Sequence, residues 1–195
     1  MKAAKLWTLP LRRIFASAQI VGSTLFSPRY LLFTNTAVST GLSVAGDVLR
    51  QKYKSGTQKQ DKPALDKHRT GKMAICGFLS GPTGHYWYIF LDRWFPGQCA
   101  KTIVKKVAMD QCIGSPIFIV LYLVTVGLLD GKMWDSLKED LSEKGVWLFI
   151  GDFFIWIPAQ IFNFSVLPSR FRLLFDNTVS LFADFFYSYM VFDFK

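Results

Sequence analysis

The chain has 195 residues, 51% hydrophobic and 16% aromatic, with 19 Phe, 7 Tyr, 6 Trp and a formal net charge of +9. Its mean hydropathy is positive at +0.24, and its apolar residues gather into long charge-free runs, which argues against a soluble core. Three cysteines (Cys76, Cys99, Cys112) and two histidines (His68, His85) give neither a disulfide framework nor a zinc or haem ligand pattern.

Residues 1–29 carry Lys2, Lys5, Arg12, Arg13 and Arg29, and the first acidic residue is Asp47. A basic, acid-free start with Ser, Ala and scattered Leu, Ile and Phe has the character of a mitochondrial import segment. It lacks the continuous apolar centre and small-residue cleavage site of a secretory signal. The same residues would also serve as a positively charged flank of the first membrane span. Residues 30–195 read as a single membrane-helix domain.

Four charge-free runs follow: Tyr30–Gly46 (17 residues), Met73–Leu91 (19), Gln111–Leu129 (19) and Phe153–Ser169 (17). A membrane-spanning helix needs about 20 apolar residues, within a range of about 17–25. Spans are therefore predicted near 30–48, 73–91, 112–129 and 149–167, giving an all-α integral membrane bundle of about four transmembrane helices. In the first span Ala37, Gly41 and Ala45 recur every four residues, beside a polar face of Thr36, Ser39, Thr40, Ser43 and Asp47. The second repeats the spacing with Gly77 and Gly81, and with Ser80 and Gly84. Small residues so spaced let helices approach closely. Gly114-Ser115-Pro116 reads as a turn at the head of the third span. The tail after Pro168 is aromatic but interrupted by Asp176 and Asp184, which predicts an interfacial or docked helix rather than a fifth span.

The segment 50–72 holds Arg50, Lys52, Lys54, Lys59, Lys62, Lys67, Arg69 and Lys72 against Asp61 and Asp66, a net +6. With its Gly and Pro it reads as a flexible loop. Such a loop is a solvated linker, a contact for anionic headgroups such as cardiolipin at about 1 kcal/mol per basic residue, or a non-specific RNA-phosphate contact. No RNA-recognition module or DNA-binding motif accompanies it. Lys and Arg divide twelve against eleven between the two sides of the predicted membrane, which sets no orientation.

The fourth span is the most polar. Asp152, Trp156, Gln160 and Asn163 are four, four and three residues apart, so on a helix of 3.6 residues per turn they share one face. Intramembrane polar residues normally face the bundle interior or a water-filled cavity. The stripe is therefore either interhelical glue or the wall of a hydrophilic pore. Pro158 should kink this helix, and Pro168 should end it. Asp47, Asp110 and Asp152 fall near predicted span ends, where burial of a charge costs less. Asp47, Gly81, His85, Asp110 and Gln111 are further candidates for helix packing or buried polarity. No nucleophile–base pair, phosphate loop or metal cluster emerges, so neither an enzyme nor a cofactor is expected.

Several ordered motifs nevertheless stand out. They are GD-V-L-RQ (Gly46–Gln51), GPTGHYWYIFLDRWFPG (Gly81–Gly97), KKVAMDQCIGSP (Lys105–Pro116), W-I-P-A-Q-I-F-NF in the fourth span, LPSRFR and Asn177. In these the chain resembles the Mpv-seventeen and peroxisomal membrane protein family, small integral membrane proteins with about four membrane segments. The family puts proline directly after the tryptophan, whereas here Ile157 intervenes before Pro158. The HYWY and LDRWFP wording most resembles the second Mpv-seventeen-like branch. That resemblance implies the mitochondrial inner membrane and a non-enzymatic role in assembling and stabilising the mitochondrial ribosome, with mitoribosomal subunits or assembly factors as partners. Other members imply the alternative, a small-solute channel or transporter, and the peroxisomal membrane as alternative location.

Overall fold

The computed structural model describes residues 22–57 and 65–192, and every regular element among them is helical. Most of the basic N-terminal segment, with Lys2, Lys5, Arg12 and Arg13, lies outside the described residues, as do Lys59 and Lys62. After a helical turn at 22–25 come α1 (Leu31–Thr57), α2 (Lys67–Trp94), α3 (Ala100–Leu129), α4 (Trp134–Val166) and α5 (Ser169–Phe192). Each helix packs on the next, and α5 returns onto α1 and α2, closing a ring of five. The predicted docked tail is thus an integral wall of the bundle.

Two of these helices, α3 and α4, are long and apolar enough to cross a membrane. At 1.5 Å per residue, the 30 residues of α3 span about 45 Å, more than a hydrocarbon core of about 30 Å. α1 and α2 carry more polar residues. The outer surface is nonetheless strongly apolar, with Phe33, Phe78, Tyr86, Ile89, Phe154 and Phe162 among its exposed side chains.

The helices overrun the predicted spans, and this corrects two expectations. The supposed loop 50–72 is largely helical: α1 continues to Thr57, and α2 begins at Lys67. Asp66 caps α2, accepting from the Arg69 backbone N–H at 3.1 Å, and that bond holds the exposed Asp66 carboxyl below its ordinary range. Likewise Asp110 and Asp152 do not sit near helix ends. They lie in the middle of α3 and α4, where their charges require interior partners.

Gly114-Ser115-Pro116 makes no turn. Residues Asp110–Gly114 form a π-helical widening, in which the Ser115 N–H reaches back to the Asp110 carbonyl. Proline removes a helical donor and crowds the preceding turn; the widened turn just before it relieves both demands, so α3 runs through. α4 also continues through Pro158 and stops at Leu167, whose extended backbone (ψ 134°) precedes Pro168 as a pre-proline residue prefers. Between α3 and α4 the turn depends on Gly131, whose φ of +70° suits glycine far better than a β-carbon residue.

At the α1–α2 seam the two backbones approach closely. A Cβ on Gly77 would lie 2.7 Å from the Ser39 carbonyl oxygen, and one on Gly81 2.5 Å from the Thr36 Cα. The small-residue reading of α2 is therefore realised. That of α1 is not, since Gly41 has nothing within 4 Å of a Cβ position and Ala37 is exposed. It is the polar face of α1 that meets the glycines, because Thr36 and Thr40 return their hydroxyls to Leu32 and Thr36 carbonyls one turn back. His85 joins the same seam, accepting at Nδ1 from the Asn35 amide at 3.1 Å.

Candidate functional site

A cavity of about 460 Å³ lies inside the ring, bordered by all five helices and the α3–α4 turn. Its size falls in the usual range for small-molecule sites, roughly 300–1,000 Å³. The helical stripe predicted on α4 points inward: Asp152, Gln160 and Asn163 are buried, Asn163 completely, while Phe154 on the opposite face is 80% exposed. Asp152, Trp156 and Gln160 line the cavity; Asn163 sits behind them in the hydrogen-bonded wall. Asp110 and Gln111 from α3 line it too, and the π-helical turn buries both of these consecutive side chains.

The partners of this stripe come from the other helices. Asn163 Nδ2 donates to Asp176 Oδ1 of α5 at 2.9 Å and lies 3.1 Å from the Tyr88 hydroxyl of α2. Gln160 Nε2 donates to the same hydroxyl at 3.0 Å, and Tyr88 donates to Asp176. Trp87 Nε1 donates to Asp110 Oδ1 at 2.7 Å, and the Ser115 hydroxyl donates to Asp152. Asp110 and Asp176 therefore hold neutral donors, and among the described residues no lysine or arginine pairs with either. Asp176 feels the charge of Asp110, and Asp110 feels that of Asp152.

At one end of the cavity the acids are instead ion-paired. Asp47 receives Arg69 Nε at 2.8 Å, with Gln51 and Thr70 on its other oxygen at 2.7 and 2.8 Å. Asp130 pairs with Lys72, and Asp140 with Lys132. The anionic-partner reading of the basic segment is revised accordingly: Arg69 and Lys72 are engaged with the protein's own acids, and Arg50 borders the cavity. Lys52 and Lys67 remain exposed.

At the opposite end of α2, just past its charge-free run, Asp92 is gripped from two helices. Lys106 Nζ of α3 lies 2.6 Å away, while Ser169 and Arg172 of α5 donate to the same carboxylate. Lys106 and Arg172 are almost wholly buried, with their cations 5.7 and 5.2 Å from the centre of the buried Phe164 ring. Burial pushes the Asp92 carboxyl up, but hydrogen bonds from Lys106, Ser169 and Arg172 outweigh it and hold the group below its ordinary range. LDRWFP, KKVAMDQ and LPSRFR are thus three sides of one clasp. Only their convergence across 80 residues of chain reveals it.

Among the described residues no three His, Cys, Asp or Glu side chains are placed to hold a metal ion. Cys76 is buried, and Cys99 and Cys112 are exposed; all three are free thiols.

The Mpv17 / PMP22 family profile matches residues 127–188, the stretch that carries α4, its polar stripe and most of α5. Protein sym1 of Aspergillus oryzae is 34% identical over 77% of this chain and 84% of its own length. Protein sym-1 of Neurospora crassa is 33% identical over 77% and 86%, and bovine peroxisomal membrane protein 2 is 29% identical over 83% and 82%. No solved structure matches. The matches extend well beyond the profile's own span: this chain belongs to the Mpv17 / PMP22 family of membrane proteins.

Proposed function

We propose that the protein is a non-enzymatic, multi-pass protein of the mitochondrial inner membrane that admits small polar solutes to its central cavity. α1 to α4 supply the four spans, and α5 completes the wall. The observation that carries this reading is the cavity itself, about 460 Å³ of space whose largely apolar lining carries polar side chains from every helix, inside an apolar exterior. Packing alone does not call for such a space, since interhelical hydrogen bonds in membranes contribute only about 0.6 kcal/mol each on average. Planar bilayers containing the purified protein should conduct, and Gln160→Leu should change that conductance. Bilayers that stay silent would remove the reading.

A second reading has its own support. The HYWY and LDRWFP wording implies a role in assembling and stabilising the mitochondrial ribosome, and the exposed Lys52 and Lys67 could meet RNA phosphate or cardiolipin at the bundle's end. Depletion of the protein followed by gradient profiling tests it: unchanged mitoribosomal subunits and monosomes would dismiss this role. The likeness to a peroxisomal membrane protein makes the peroxisomal membrane the alternative location, which organelle fractionation decides.

A further inference from the structure

We infer that the cavity is a binding site for a small organic cation, an aliphatic chain bearing ammonium groups, held between Asp110 and Asp176. The inference names the solute class of the cavity and rests on the solute reading above.

Three observations carry it. First, Asp110 and Asp176 are buried or bonded inside the ring on neutral donors alone, in contrast to Asp47, Asp130 and Asp140, whose cations the protein supplies. A carboxylate withdrawn from water needs a positive partner or a proton, and the negative charge of Asp110 sharpens the need at Asp176. Second, Gln111 is 97% buried and lines the cavity; its amide N–H is directed to Asp110, yet its carbonyl oxygen has no hydrogen-bond partner among the described residues. Unsatisfied buried polar groups are rare in native proteins. An amide oxygen facing the cavity beside a carboxylate is an acceptor prepared for an N–H donor from a ligand. Third, the chain widens into a π-turn at Asp110–Gly114, and such π-bulges are frequent at functional sites.

The same geometry selects an extended organic cation over a metal ion. The acids do not converge into a metal-binding group. Asp110 is held by Trp87 and Asp176 by Tyr88; adjacent positions on a helix diverge by about 100°, which sets the two carboxylates apart. Between and beside them Trp87, Trp156, Phe118 and Ile119 border the cavity. Those surfaces suit methylene groups, and the indole faces suit an ammonium.

Cadaverine serves as the probe, titrated into the purified full chain in detergent and followed by calorimetry and by the fluorescence of the two cavity tryptophans. Cadaverine should bind saturably, while pentanediol, its uncharged counterpart, should not bind and calcium should not displace it. Asp110→Asn and Asp176→Asn should each weaken binding by about tenfold or more, as for loss of a buried charge partner. Lys52→Gln, on the exposed surface, should leave it unchanged. Gln111→Leu keeps the test decisive if the aspartate variants fold poorly: it removes a buried carbonyl oxygen that has no partner, so its thermal unfolding temperature should change little while cadaverine binding weakens. Equal binding of pentanediol, displacement by calcium, or unaltered affinity in folded Asp110→Asn, Asp176→Asn and Gln111→Leu would each overturn the assignment. Because binding is read without a bilayer, intact cadaverine binding with silent bilayers would remove passage and leave the site. Conductance without cadaverine binding would do the reverse.

Discussion

Two acidic centres in this bundle are built on opposite terms. Asp92 is surrounded by the protein's own cations, Lys106 and Arg172, which are themselves buried and stacked on Phe164. Asp176, one turn beyond Arg172 on α5, is surrounded by a tyrosine hydroxyl and two amides. The first arrangement is electrically closed: a cation from solution has nothing to add. The second is electrically open, and it faces a cavity. The carboxylates of one small bundle therefore divide into those that hold helices together and those left available to a visitor. The difference is legible only in their partners.

The sharpest way to break the comparison is to neutralise the clasp. Asp92→Asn leaves Lys106 and Arg172, 3% and 2% exposed, as unpaired buried cations. Removing one partner of a buried pair costs about 3–5 kcal/mol; with the Asp92 side chain 29% exposed, the lower end, about 3 kcal/mol, is expected in denaturation of the detergent-solubilised protein. The clasp should also register in pH. Asp92 is held below its ordinary range, so its contribution is complete above the unfolded carboxylate value of about 3.9 and is lost as pH falls through the lower folded value. Stability should drop below about pH 4 in the native chain, and this acid-sensitive step should be smaller in Asp92→Asn. An identical acid profile in the two proteins would show that Asp92 is not the group responsible.

A middle-sized effect comes from the seam, which involves no charge. Gly81→Ala places a Cβ 2.5 Å from the Thr36 Cα, a contact with backbone that no side-chain rotation relieves. Overpacking of this kind costs about 1–3 kcal/mol, and here the cost should be indifferent to both pH and salt. A Gly81→Ala penalty that varied with pH would mean that α1–α2 contact is coupled to the charged centres, and the comparison between closed and open sites would need redrawing.

How far the sequence reached follows from the distance between partners. Asp152, Trp156, Gln160 and Asn163 were legible as one face because helical spacing is local, and the structure turns that face inward. Their partner Asp176 was not. It looked like an interruption in an aromatic tail, whereas it is bonded to Tyr88, 88 residues earlier, and to Asn163. Asp92 and Arg172 stand in recognisable motifs, yet nothing local says that an aspartate at the end of α2 will bury a lysine and an arginine. The misplaced turn at Gly114-Ser115-Pro116 has a different cause. Proline and glycine signal a break only when the backbone cannot rearrange, and here a π-turn absorbs the missing donor. The segment 50–72 misled through composition: charge and glycine suggested a loop where both flanks continue as helix, with Gln51, Thr70 and Arg69 tied to Asp47.

The smallest expected effect is the most informative. Asp176→Asn removes a carboxylate from a site with neutral partners, so no opposing cation is stranded. The new amide can still accept from Asn163 and Gln160, and Tyr88 can rotate its hydroxyl to accept from it. Replacing buried charge with a neutral group of the same shape is often near neutral for folding, and a change within about 1 kcal/mol of the native chain is expected. The same chemical substitution at Asp92 should therefore cost about three times as much or more. If Asp176→Asn proved as damaging as Asp92→Asn, the central carboxylate would be a structural charge with a partner of its own, and the cavity would lose its claim on a cation. A small stability change accompanied by a large loss of cadaverine affinity would establish the opposite: a charge kept in the bundle for its ligand, at little benefit to the fold.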